Sequence, residues 1–455
     1  MNRNPESSIH LHGINFPLSW ICQHCLVVGA SGSGKTHGIL KPLMREILRA
    51  ERDPARRAAM IIFDIKGDLL PVIRSALIKY GRENDLIEVG IGENEASFNP
   101  LADSTLRPAQ IAQLLTQASE LGGQEASQRA KTEELYWATA RRDVLTSLVE
   151  LTQVTLRQSD HGPLTFQHLQ RARALLSQSP LEIKKWIAVA APTLSETSHL
   201  ALKEWADLPD VTRACVASSV GSVLAPWTRE PLCRLVIPVA TRPTLDLRDV
   251  VDSGKVVVIN VAQTENAEEL WPACLLLKQA LFRLALSRSR LPINQERMVA
   301  IVIDEANRLL SGHNHLSSEH TAMEMARSNK VAFILAAQNL SGLNAVNGDA
   351  LTDKLAALCG TQIFLANNCP ATLRLAQRCF GNRTVKRRHV TRTAQPPPPQ
   401  IFADEAEGET EIEQVTLVPT EVPVISASTL SRMPTGAARA KLVDGSLHKF
   451  RCTFD

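Results

Sequence analysis

Seven short apolar runs punctuate the chain: CLVVGA from Cys25, AAMIIFDIKG from Ala58, DLIEVGI from Asp85, KVVVINVA from Lys255, MVAIVIDEA from Met298, VAFILAAQ from Val331 and TQIFLAN from Thr361. They are rich in Val and Ile and mostly lack the in–out alternation of a half-solvated strand, so they predict a mostly parallel central sheet covered on both faces, an α/β fold. Three runs precede Asn99 and four follow Gly254. Between them the period changes: RPAQIAQLLTQASEL, EELYWATARRDVLTSLVELTQ and FQHLQRARALLS place apolar residues three and four apart, as helices do. The pattern predicts a nucleotide-binding motor domain from residues 1–100 and 246–455, interrupted by an all-α domain over 101–245. Pro100 and Pro243 mark the two boundaries. Towards the end, TAQPPPPQ and the acidic run DEAEGETEIE read as an extended loop over about 393–414, and AKLVDGSLHKFRC reads as a hairpin turning at Asp444-Gly445.

Composition narrows this little. The formal net charge of +3 is too small to announce a polyanion partner, so any nucleic-acid surface must be local. Nine cysteines, an odd number scattered along 455 residues, argue against a disulfide framework and for a reducing cytosol. Cys22 and Cys25 form a C-x-x-C without a second pair at zinc-ribbon spacing, so buried thiols are favoured over a metal or redox role. No window approaches the ~20 apolar residues of a membrane span, and the N-terminus lacks a signal peptide's apolar region, so the expected location is cytoplasmic. Four of six tryptophans (Trp137, Trp186, Trp205, Trp227) fall in the helical segment, where packing is the expected role and base stacking the alternative.

VVGASGSGKTH, Val27 to His37, satisfies G-x-x-x-x-G-K-[ST] without mismatch, between a strand and a helix. Gly29, Ser31, Gly32, Ser33 and Gly34 supply backbone N–H groups that can converge on phosphate, Lys35 adds a point charge, and Thr36 offers a hydroxyl ligand to Mg²⁺; His37 follows. Pro42 is expected to kink the following helix. Asp304 and Glu305 end an apolar strand, where the first acid suits a Mg²⁺ water shell and the second can accept a proton from attacking water. FDIKGD places Asp64 at another strand end, either as a nucleotide-side residue or in a solvated turn. ARSNKVAFILAAQN puts Arg327 before a strand and Gln338 at its tip: a trans-acting arginine and a γ-phosphate sensor, or a surface ion pair and a loop hydrogen bond. Arg383, Lys386, Arg387 and Arg388 form a basic cluster, a solvated face or a DNA site.

The order of these parts, with FNPLA (Phe98–Ala102), YWATARRDVLTSL and NCPATLRLAQRCFGNRTV, resembles the type IV secretion coupling proteins, TraG/TraD-like ATPases of the FtsK-HerA superfamily. The resemblance implies a RecA-like P-loop NTPase core with an inserted all-α domain, ATP and Mg²⁺, and a homo-oligomer that is hexameric when active. It also implies DNA or a relaxase–DNA complex as substrate, a secretion-channel or membrane partner, and recruitment to the inner membrane. It makes Lys35 and Thr36 the nucleotide and magnesium contacts, Asp304 the metal's outer acid, Glu305 the general base, Gln338 the sensor and Arg327 the trans-acting arginine. Family members usually begin with two membrane-spanning helices, for which this sequence leaves no room before the first motor strand. The expectation is therefore a branch that borrows a membrane partner; the alternatives are a HerA-like DNA translocase in genome handling or defence, and a nucleotide-gated receptor with little turnover.

Overall fold

The computed structural model describes residues 7–121, 131–159, 161–176, 179–260, 267–288, 297–310, 319–395 and 410–454. Its strands, in chain order, are β1 (Ser8–Leu11), β2 (Ile14–Pro17), β3 (Cys25–Val28), β4 (Ala59–Asp64), β5 (Leu86–Val89), β6 (Val256–Asn260), β7 (Val299–Ile303), β8 (Val331–Ala337), β9 (Thr361–Phe364), β10 (Asn382–Gln395), β11 (Thr410–Pro423), β12 (Ala437–Lys441) and β13 (Leu447–Arg451). The seven apolar runs became β3–β9 and lie together in one sheet of order β13-β12-β9-β3-β8-β7-β4-β6-β5. From β9 to β5 every pairing is parallel, and the C-terminal hairpin adds two antiparallel strands on the β9 side.

The missing alternation has a direct cause. Successive residues of one strand enter different cores: Leu26, Ile61, Phe63, Ile301 and Phe333 point into one, Val27, Met60, Ile62, Val302 and Ile334 into the other, and both are sealed from water. Helices Lys41–Ala50 and Leu70–Lys79, with the β1–β2 hairpin, cover the second face. The first is covered by helix Trp271–Ser287 and by helices of the middle segment, beginning with Pro108–Leu121.

Among the described residues of 101–245 the elements are all helical. The segment enters and leaves the body at one place, where Ser97 N–H donates to Pro243 O (2.9 Å) and Leu245 N–H to Ser97 O (2.7 Å). Trp205 and Trp227 are buried there, the latter stacked on Phe166 at 4.7 Å, whereas Trp137 is exposed.

One expectation needs correction. The loop anticipated over 393–414 is shorter: β10 runs on through Gln395 and β11 resumes at Thr410, the two pairing antiparallel from Asn382↔Pro423 to Gln395↔Thr410. The tetraproline and most of the acidic run lie outside the described residues. The helix after the phosphate loop opens as a wide π-type turn over Lys35–Leu40 and becomes α-helical from Lys41, so the irregularity expected at Pro42 lies in the turn before it, with Pro42 in the first α-helical turn. Pro42 has no N–H to give the Gly38 carbonyl; His12 Nε2 takes that acceptor instead, at 2.5 Å.

Candidate functional site

The central strand β3 delivers the glycine-rich loop to the sheet's C-terminal edge, where open α/β sheets hold ligands. Gly29 N–H still donates to Ala337 O (3.2 Å) beyond β8's last pairing, and Ala30 N–H to Ala366 O (2.9 Å) beside β9, so the loop starts from fixed ground. It then turns through Gly34 at φ 99°, a conformation side chains resist. A Cβ on Gly29 would lie 2.5 Å from Ser33 Oγ. Ser31 and Gly32 are exposed at the loop's tip, while Ser33, Lys35 and Thr36 are buried behind it.

Lys35 and Thr36 meet the acid pair across the sheet. Lys35 Nζ lies 3.2 Å from Asp304 Oδ1 and 3.5 Å from Glu305 Oε1, and Thr36 Oγ1 donates to Asp304 Oδ2 at 3.1 Å. Glu305 follows β7 in the left-handed region at φ 58°, ψ 52°, a backbone costing a non-glycine residue on the order of 1 kcal/mol. Its Oε1 accepts from Gln338 Nε2 at 3.0 Å and from Lys66 Nζ. Burial pushes the Glu305 carboxyl up, but the hydrogen bonds from Lys66 and Gln338 and the charges of Lys35 and Lys66 outweigh it and hold the group below the usual glutamate range. Glu305 is thus an ionised carboxylate almost closed to water, at 3% exposure.

These residues fit a nucleoside triphosphate with Mg²⁺. Ser33 Oγ is buried beside the loop without a hydrogen-bond partner among the described residues, a hydroxyl able to donate to a phosphate oxygen. The paired Thr36 hydroxyl and Asp304 carboxylate are hard oxygen donors of the kind Mg²⁺ takes. Lys35, the cation for phosphate, rests on the two acids.

The structure brings Lys35, Thr36, Asp304, Glu305 and Gln338 into one cluster beside the loop of Gly29–Gly34 and sets Asp64, His37 and Arg327 apart. Asp64, expected on the nucleotide side, is a correction. It is fully buried, with Oδ1 accepting from Gly67 N–H (2.8 Å) and Oδ2 from Leu69 and Leu70 N–H (2.9 and 3.1 Å), so its carboxylate folds the turn after β4. The member of DIKGD that reaches the site is Lys66, on Glu305. His37 is largely exposed, 3.7 Å from Asp68 Oδ2 and beside Lys41 rather than in the acid cluster. Arg327 is exposed in the turn before β8, at the far end of the sheet from its own phosphate loop.

Three contributors carried no local signal. Asn367 Nδ2 donates to Gln338 O at 2.7 Å and fixes the tip of β8. Gly436 N–H donates to Ser33 O at 2.9 Å, and the Phe454 ring packs against Gly34 and Gly436, so the C-terminus backs the loop. Of the cysteines, Cys22 and Cys25 are buried free thiols raised by burial to about 11 and about 12, and no three His, Cys, Asp or Glu among the described residues group as a metal site.

A phosphate loop on the central strand, an acid pair on a strand further along and a polar tip between them, on a mostly parallel sheet, define a RecA-like P-loop NTPase core. The chain belongs to the type IV secretory system conjugative DNA transfer family, whose model matches residues 6–407. It superposes over its whole length on the plasmid coupling protein TrwB in complex with the non-hydrolysable ATP analogue ADPNP (17% identity, 91% of that chain covered, TM-score 0.60). The same holds for TrwB in complex with ADP and Mg²⁺ (18%, 91%, 0.59) and for VirB4 of Thermoanaerobacter pseudethanolicus (14%, 97%, 0.55). At these identities the shared property is the fold. No curated protein matches the chain by sequence.

Proposed function

We propose that this chain is an ATP-hydrolysing ring motor that recruits DNA or a nucleoprotein and drives it towards a type IV secretion channel. The observation that carries the reading is the convergence of Lys35, Thr36, Asp304, Glu305 and Gln338, drawn from three parts of the chain, at the C-terminal edge of the sheet. Family membership supports the DNA substrate and the secretion partner, and the ADPNP and ADP–Mg²⁺ complexes of TrwB support ATP and Mg²⁺.

In this reading the loop amides from Gly29 to Gly34 and the Lys35 ammonium bind the phosphates. Thr36 would ligate Mg²⁺ and Asp304 would hold its water shell, and the ion would supply positive charge to the phosphates. Glu305 takes the proton of the attacking water at Oε1, and Gln338, hydrogen-bonded to that same oxygen, orients both. Lys66 keeps Glu305 ionised until it is needed. A receptor that merely bound nucleotide would have no use for a buried, left-handed glutamate poised in this way. Among the described residues no helix is long and apolar enough to cross a membrane.

The test compares wild type, Lys35→Ala and Glu305→Gln for ATP binding and phosphate release, with and without single- and double-stranded DNA. Glu305→Gln should bind ATP and lose hydrolysis, because the amide keeps the shape and removes the proton acceptor, while Lys35→Ala should lose binding. Equal hydrolysis by wild type and Glu305→Gln rules the assignment out.

A further inference from the structure

β10 and β11 leave the body as a two-stranded ribbon without a third strand. Such a ribbon is marginal in water by itself. From Lys386 to Arg392 and from Glu413 to Pro419 its residues are exposed on both faces. The pairing sorts the charges. One face carries Arg383, Arg387 and His389 opposite Val422, Val418 and Thr416, and no carboxylate stands on it from Arg383↔Val422 to Thr391↔Gln414. The ribbon's acids point the other way, Glu421 opposite Thr384 and Glu413 opposite Arg392, where an Arg392–Glu413 pair closes at 2.9 Å, so that Lys386 and Arg388 share their face with carboxylates while Arg383 and Arg387 do not. Among the described residues neither Arg383 nor Arg387 has an ion-pair partner.

We propose that the Arg383–Arg387–His389 face of this ribbon binds the phosphate backbone of DNA, a contact that rests on the reading of DNA as the substrate. Guanidinium groups match phosphate geometry, and the threonines beside them, Thr391 and Thr416, are hydroxyl donors that phosphates also accept. A two-stranded ribbon is thin enough to enter a major groove of about 12 Å. An anionic lipid surface fits less well, since the valines of this face nearest the body, Val385 and Val422, are half-buried and leave no continuous apolar strip to insert.

The experiment measures binding of a labelled random-sequence oligonucleotide, single- or double-stranded, to the full chain without nucleotide over a series of salt concentrations. Because ATP is absent, a chain that fails to hydrolyse ATP can still pass, and a hydrolysing chain can fail. Losing two phosphate contacts in Arg383→Gln/Arg387→Gln should lower the slope of log affinity against log salt by ~1.4 (single strand) or ~1.8 (duplex), and weaken binding roughly 25- to 60-fold at about 0.1 M salt. Arg383→Lys/Arg387→Lys should retain most of the affinity. A photo-crosslinking residue at Thr416 in the otherwise unchanged chain should label the DNA, and one at Val415, on the other face, should not. Unchanged slope and affinity in the glutamine pair, or no crosslink from Thr416, overturns the proposal. So does loss of self-association with DNA binding intact, which would make the ribbon a contact between subunits, or a preference for phosphatidylserine vesicles over DNA.

Discussion

Arg327 and Gln338 bracket β8, and that spacing decides which arginine chemistry is open to this chain. Seven strand residues at a parallel rise of ~3.3 Å put about 23 Å between Arg327 and the tip where Gln338 holds Glu305, far beyond one arginine side chain. Arg327 therefore cannot serve its own nucleotide. If it takes part in hydrolysis it does so across a subunit boundary, and its removal should lower the turnover rate on the order of 10³-fold or more, the value of such an arginine where it acts in trans. Lys66 offers a competing account, a second cation already at the site and half-exposed. The two separate in a mixture. When Arg327→Ala and Glu305→Gln chains assemble at random in equal amounts, an interface is productive only where an intact Glu305 faces an intact Arg327, so about a quarter of wild-type phosphate release should return, although each protein alone is inactive. The assay is phosphate release at fixed total protein, followed through dilution, with wild-type activity falling as the assembly dissociates. Full activity of Arg327→Ala, or of demonstrably monomeric protein, refutes the trans arginine and leaves Lys66 as the cation.

Lys66→Met should shift the acid limb of the pH–rate profile to higher pH: the base form of Glu305 exists above its pKa, Lys66 helps hold that pKa down, and deleting the ammonium lets it rise; a limb that stays put or moves to lower pH contradicts the coupling. Cys369, which burial raises but hydrogen bonds from Ser341 and Thr372 bring to about 7, should react quickly with a disulfide reagent near neutral pH together with exposed Cys215, while Cys25 and Cys274, both raised to about 12, stay silent until unfolding; mass-spectrometric mapping decides. We also propose that 101–245 is an inserted domain, so that joining Pro100 to Thr244 through a short glycine-serine linker should yield a chain that still binds nucleotide but melts lower, because helix Trp271–Ser287 loses the cover of Pro108–Leu121; a product without nucleotide binding or secondary structure defeats the claim.

What could be read from the sequence was what burial or backbone geometry writes locally. The seven strands showed because each is buried on two faces, and the phosphate loop because only glycine tolerates φ near 99° at Gly34. The ribbon was invisible for the opposite reason: Lys386–Arg392 has no buried face, so no hydrophobic period marks it, and the prolines beyond Gln395 drew the segment towards loop. In DIKGD the residue that reaches the site is Lys66 and not the expected Asp64. As the last residue of β4, Asp64 lies under the turn, where three backbone amides claim its oxygens, while Lys66, two residues further on, is carried over the sheet's edge. Its partner Glu305 is 239 residues away, a separation from which spacing predicts nothing.

The C-terminal hairpin gives the site a second anchor that changes what loop movement would mean. On one side the phosphate loop is tied to the strand ends through Ala337 O and Ala366 O. On the other, Ser33 O accepts from Gly436 N–H, Gly436 O accepts from Cys452 N–H, and Phe454 lies on Gly34. β12 is in turn paired to β9, and beyond β9 Asn367 holds the main chain of Gln338, whose side chain holds Glu305. The contacts form a continuous path from the phosphate loop through the C-terminal strands, β9 and Gln338 to Glu305. A shift of Ser33 on filling its hydroxyl would be passed along that path, whose two ends are the phosphate loop and Glu305. If Glu305 is the base of the proposed reaction, phosphate binding at the loop and proton abstraction are linked through the Ser33–Gly436 and Gly436–Cys452 main-chain bonds, the β9–β12 pairing and the Asn367 and Gln338 side chains.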